Sequence, residues 1–149
     1  MKPHEALRQF WSATGLKAIG APASQSEVEA LETRFAVRLP DDFRDYLLKA
    51  MPRAGLPIDK NLTTWWEVSR IASEQTMNGE ALIVDGDPAN PHRYLLFADH
   101  MIWAWAWAIA CGETDQRGNI MEIGDRNRIV ADNFATFVAL NIADDDALF

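Results

Sequence analysis

Cysteine is nearly absent from this chain. Cys111 is the only one in 149 residues, so no internal disulfide and no CxxC metal or redox motif can form. A lone thiol agrees with a reducing compartment. Basic residues are scarce as well, 14 against 22 acidic ones for a formal net charge of −8. That balance argues against a protein that binds nucleic acid by neutralising phosphates, and an acidic surface suits a basic partner instead. Long apolar runs are missing: the longest, around residues 101–111, is too short and too regularly alternating to cross a bilayer. The opening MKPHEALRQFW has neither the apolar centre nor the small-residue cleavage site of a secretory signal. A cytoplasmic protein without membrane contact is therefore expected. His4, His92 and His100 do not pair at zinc spacing, and the chain has no phosphate-cradling glycine loop, no GxSxG and no Rossmann fingerprint. No catalytic residue, metal site or cofactor is expected.

What the chain does have is a stretch of strict alternation, RYLLFADHMIWAWAWAIAC at residues 93–111. Trp103, Trp105, Trp107 and Ile109 fall on one side of an extended chain, and Ala104, Ala106, Ala108 and Ala110 on the other, the period of two of a pleated strand. Burying three indoles at roughly 150–250 Å² each is worth on the order of 10–15 kcal/mol, an upper bound because the unfolded chain is already partly compact. Left exposed, they would form an apolar patch as large as the biggest on an ordinary monomer. The tryptophan face is thus either core or a binding surface, and a domain of this length needs it as core.

Around this stretch the sequence reads as an α+β protein. Pro3 and Gly15 bracket a helix over Pro3–Thr14, expected to be an accessory cover. Ser24 and Glu27 form a capping-box signature for a second helix with Val28, Leu31 and Phe35 on its face. Pro40, Asp41 and Asp42 open a third, whose buried side is Phe43, Tyr46, Leu47 and Ala50 and which Pro52, Gly55 and Pro57 end. Within residues 62–71, Trp65 and Trp66 read as packing. Strands are expected at residues 81–84 and 93–98, joined by the turn formers of residues 85–91, with Asp99 and His100 interrupting before residues 101–110 run back alongside. A turn at residues 112–118 leads to short strands at 119–123 and 128–131. Asp132 or Asn133 then caps a last helix lined by Phe134, Phe137, Val138 and Ile142, and residues 144–149 form a solvated acidic tail.

Two constellations suggest chemistry and fail. Cys111 and His100 stand too far apart along a continuous strand to form a dyad, and His100 next to Asp99 reads as a polar turn. Asp85 and Asp87 look like the start of a calcium loop, but Ala89 occupies the third ligand position, Asn90 replaces the turn glycine and Leu96 stands where the closing glutamate belongs.

Three segments together resemble the SUKH superfamily of bacterial immunity proteins and a yeast cell-wall synthesis regulator. They are SEVEALETRFAVRLPDDFRDYLLKA at residues 26–50, YLLFADH at 94–100 and IVADNFATFVAL at 129–140. Residues 51–55, MPRAG, depart from the Asn-Gly turn that often follows the Leu-Leu helix in that family. The resemblance implies one domain over residues 1–149, with a family-like core at 24–142, in which N-terminal helices and a C-terminal helix pack around a mainly antiparallel sheet. It also implies a non-enzymatic role: binding and blocking a cognate protein toxin, such as a basic nuclease, as a monomer or weak homodimer. The alternative is a regulatory or scaffold module of the same fold. Candidate partner contacts are Asp85, Asp87, Glu113, Asp115 and any exposed part of Trp65 and Trp66. A third possibility, a pocket for a small molecule or peptide on the tryptophan face, requires that face to lie open.

Overall fold

The computed structural model describes residues 1–16, 21–50, 58–72, 74–77, 80–83 and 91–149. Local signals set the helices. In α1 (Pro3–Thr14) proline occupies the first turn, the Glu5 carboxylate accepts the Lys2 backbone N–H at 3.0 Å, and Gly15 closes the helix at φ +80°. In α2 (Gln25–Phe35) Ser24 and Glu27 cap each other reciprocally, both bonds 3.2 Å long. Pro40 precedes α3 (Asp41–Lys49), which has Asp41 and Asp42 in its first turn. The Glu32 carboxylate fixes the link between these two helices by accepting the Leu39 N–H at 2.9 Å and pairing with Arg44 at 3.3 Å.

Seven strands follow among the described residues: β1 (Thr63–Trp65), β2 (Glu74–Met77), β3 (Glu80–Ile83), β4 (Tyr94–His100), β5 (Trp105–Ala110), β6 (Ile120–Ile123) and β7 (Ile129–Ala131). β2 and β3 make a separate two-stranded antiparallel sheet, and the other five form one antiparallel sheet in the order β1-β4-β5-β6-β7. The last helix, α4 (Phe134–Ile142), is capped by Asn133, whose side chain accepts the Thr136 N–H at 2.8 Å. The α+β class, the N-terminal helices, the antiparallel sheet and the C-terminal helix are those the sequence leads one to expect.

The main core lies between one face of the sheet and the helices. Trp65 from β1, Phe97 from β4 and Trp107 from β5 meet Trp11 from α1, Phe43 and Tyr46 from α3, and Phe134 and Phe137 from α4. Edge-to-face contacts run through the cluster, with ring centroids 5.6 Å apart for Trp11 and Trp65 and 5.3 Å for Trp107 and Phe137. Adjacent residues of a strand point to opposite faces, so Trp66 leaves this core for a smaller cluster on the sheet's other face with Tyr94, Leu96, Ala106, Ala108, Ala110 and Ile123.

Four expectations need correction. The first helix is not an accessory cover, because Leu7 and Trp11 are fully buried in the main core. The alternating strand does not start at residue 101. Residues 101–104 form a turn in which Met101, Ile102 and Trp103 have φ of 49°, 50° and 74°, so Trp103 lies against the alanine-side cluster instead of beside Trp105 and Trp107. Asp99 and His100 do not interrupt β4; they end it, and both are buried. The acidic tail is solvated only in part: after Asp144, Asp145 and Asp146 the chain turns back and buries Leu148.

Candidate protein-interaction surfaces

At one end of the β4–β5 hairpin the chain leaves β5 through Cys111 and turns at residues 112–118. The turn is tightly held. The Cys111 and Gly112 N–H groups donate to the carbonyls of Arg93 and His92 at 3.1 and 2.9 Å, and a Cβ at residue 112 would overlap the Pro91 carbonyl. Thr114 Oγ1 meets His92 Nδ1 at 2.9 Å, Tyr94 donates its hydroxyl to Gln116 at 3.1 Å, and Arg117 donates to the Cys111 carbonyl at 2.6 Å. Glu113 and Asp115 project from this frame into solvent, Glu113 within 3.6 Å of Arg117. A groove of about 520 Å³ separates the turn from the end of α2. Its charged lining is mixed, with Glu32 and Glu113 against Arg38 and Arg93, so it favours neither sign of ligand.

The other sequence candidates fall elsewhere. Trp65 and Trp66 are 0% and 1% exposed, as a packing role requires, and neither is available as a surface anchor. Each indole N–H is matched to a buried carboxylate, Trp65 to Asp59 at 2.9 Å and Trp66 to Asp99 at 2.7 Å. Burial raises both carboxyl groups above their ordinary range, while these donors pull the other way. The Arg70 guanidinium covers Trp66 at 4.2 Å and Trp103 at 5.0 Å and lies 3.9 Å from Asp99. This is an internal clamp, and it holds the 101–104 turn from beneath. Asp85 and Asp87 lie outside the described residues.

The opposite end of the hairpin carries a feature with no counterpart among the sequence candidates. Leu62, Met101 and Ile102 are 47%, 54% and 68% exposed, and the Met101 N–H donates to the Leu62 carbonyl at 2.9 Å. Beside them is a groove of about 290 Å³ lined by Leu62, His100, Met101, Trp105 and Phe149, with Lys60 and Asp144 at hand. The His100 ring stacks on Trp105 with centroids 4.7 Å apart and meets Phe149 at the same distance. Burial lowers its pKa, with Asp144 opposing, so the imidazole is neutral near pH 7. The sequence hides this end because the turn contains no glycine, asparagine or proline. Asp99 is the one available signal, since its side chain accepts the Trp103 N–H at 3.2 Å.

Comparison with protein families matches residues 22–140 to the SMI1 / KNR4 family (SUKH-1). The chain belongs to this family. No curated protein matches the chain. SUKH membership supports an immunity or regulatory domain in general. The match includes α2, α3, the whole five-stranded sheet and most of α4. It leaves out α1 and residues 141–149, which nonetheless bury Leu7, Trp11 and Leu148 in the core of this SUKH domain.

Cys111 sits at the far end of the hairpin from His100, about 20 Å by strand rise, and burial pushes its thiol up to about 12, far from a reactive thiolate. Among the described residues no group of three His, Cys, Asp or Glu side chains is placed to hold a metal ion. No helix among them is long and apolar enough to cross a membrane.

Proposed function

We propose that this SUKH domain is a non-enzymatic, cytoplasmic protein-binding domain that recognises a cognate toxin and neutralises it. Family membership over residues 22–140 carries this reading. The net charge of −8 supports a basic partner such as a nuclease, because complementary charge speeds encounter and selects against wrong partners. Glu113 and Asp115, exposed on a rigid turn, are proposed as part of the acidic contact surface, together with Asp85 and Asp87. Surface charges of this kind act mainly on association rate.

The test is an affinity pull-down of the tagged protein from its native cells at low and high salt, with partners identified by mass spectrometry. A single stoichiometric basic protein, toxic when expressed alone and harmless when co-expressed with this chain, is the expected result. Salt sensitivity of capture would match the acidic-surface mechanism. A dispersed set of weak partners with no toxicity to relieve would replace immunity with the regulatory or scaffold role.

A further inference from the structure

Five large hydrophobic side chains are exposed among the described residues: Met1, Leu62, Met101, Ile102 and Ile129. Leu62 and Met101 share the 290 Å³ groove, and Ile102 follows directly in the turn. Scattered exposed hydrophobics are ordinary, but a cluster of them marks a contact surface.

The backbone gives a second, independent indication. Leu62, Met101, Ile102 and Trp103 all have φ between 49° and 74°, a region that glycine enters freely and a β-branched residue enters only against steric resistance. A turn selected for folding alone would carry glycine or asparagine. This one keeps large apolar side chains at the strained positions, and rules of local preference tend to be broken where a site is needed. The turn is also fixed in advance. Asp99 holds the Trp103 N–H, the Ala104 N–H donates to the His100 carbonyl at 2.9 Å, and the Trp103 ring stands 5.2 Å from that of Trp66. Little order is then lost on binding. In the groove wall, the buried Nδ1 of His100 and Nε1 of Trp105 have no hydrogen-bond partner.

Charge selects the occupant. Asp144 lines the groove with Lys60, Asp145 and Asp146 follow it in exposed positions, and Arg128 reaches the same segment by donating to the Ala147 carbonyl at 2.9 Å, so three carboxylates stand there against two cations. A second copy of the chain would bring the same carboxylates and the same net charge of −8, and so meet repulsion. We propose that Leu62, Met101 and Ile102, with the groove beside them, dock a protein partner through an apolar segment flanked by lysine or arginine. The proposal rests on the protein-binding reading above and adds to it the surface that anchors the partner.

The experiment is an NMR titration of the full chain, ¹⁵N-labelled, with a synthetic amphipathic helical peptide of leucine and lysine. Its counterpart with every lysine replaced by glutamate serves as the comparison. Backbone shifts centred on Leu62, residues 100–105 and Asp144 are expected with the lysine peptide and not with the glutamate one. Ile102→Gly is expected to weaken lysine-peptide binding at least ten-fold without lowering the melting temperature. Ile129→Thr, at an exposed apolar position on another strand, leaves binding unchanged. Shifts centred elsewhere, equal binding of the glutamate peptide, undiminished affinity of Ile102→Gly, or self-association that protects Ile102 would each overturn the site. The site and the protein-binding reading fail separately. A native partner retained equally by wild type and Ile102→Gly leaves that reading standing and removes this surface, whereas the absence of any native partner counts against the reading itself.

Discussion

The two ends of the β4–β5 hairpin solve the same problem, reversing the chain, in opposite ways. At the 112–118 end the backbone has glycine where it needs glycine: Gly112 passes under the Pro91 carbonyl and Gly118 takes φ +89°. Polar side chains bond the rest of that turn. At the 101–104 end three consecutive non-glycine residues take positive φ, two of them, Met101 and Ile102, with apolar side chains in solvent. One end is built from turn-forming residues and the other against their preferences, held instead by Asp99 and by packing of Trp103 under Arg70. The difference separates a turn that serves the fold from one that serves display.

The largest expected effect would break the first end. Gly112→Ala forces a methyl group into the Pro91 carbonyl, and backbone on both sides leaves no flexible side chain to give way. A loss of about 4 kcal/mol or more is expected, in the range reserved for severe steric conflict, measured by urea denaturation with glycine restored as control. Next comes the contrast between two tryptophans that the alternating sequence treats alike. Trp107 is wholly buried among Phe137 and its neighbours, so Trp107→Ala should cost about 3–5 kcal/mol. Trp103 is only half-buried and its contacts are the Trp66 ring and the Arg70 cation, so Trp103→Ala should cost about 1–2 kcal/mol. Equal losses in paired denaturation curves would restore the single tryptophan face that the sequence suggests.

That contrast marks where the sequence is legible. Helix starts and stops are readable because each depends on one or two residues in contact across a single turn: Pro3 and Gly15, Ser24 with Glu27, Asn133 with Thr136. The strand pattern from Trp105 to Ala110 is readable because burial enforces its period. The 101–104 turn is not, because apart from Asp99 its stabilising partners come from elsewhere in the chain: Arg70 from the short helix after β1, and Trp66, the residue that follows β1. The same holds for Leu148, which is pulled back into a core that its acidic neighbours give no hint of, and for α1, whose amphipathic face looks the same whether it covers a core or completes one. As for the candidate site, the exposure of Glu113 and Asp115 was legible from the turn-rich composition around them. The apolar cluster of Leu62 and Met101 was not, since it joins residues 39 apart in sequence through one backbone hydrogen bond.

A smaller effect of opposite sign sharpens the comparison. Ile102→Gly removes a side chain that is 68% exposed and so loses little packing, while it relieves the resistance of a β-branched residue to φ 50°. A gain of about 1 kcal/mol is expected, the strain released less the extra flexibility glycine gives the unfolded chain. Thermal unfolding would show it as a raised melting temperature. A fall instead would mean that Ile102 serves the fold, and the two ends of the hairpin would no longer differ in kind.

The smallest expected effect is on pH dependence. His100 is buried against Trp105 and Phe149, and burial lowers its pKa below 6.5. As pH falls the unfolded chain therefore takes up its proton first. Stability contributed by the neutral ring is complete above about pH 6.5 and is lost as pH drops from there through the folded-state value. His4 is shifted in the same direction, so the wild-type slope contains both rings. His100→Phe keeps an aromatic surface for Trp105 and removes one titration. Its denaturation midpoint should fall less steeply between about pH 7 and pH 5 than that of the wild type. An unchanged slope in His100→Phe would mean that the imidazole is solvated, and the groove wall it forms with Trp105 and Phe149 would then be open to water and a poorer seat for an apolar partner.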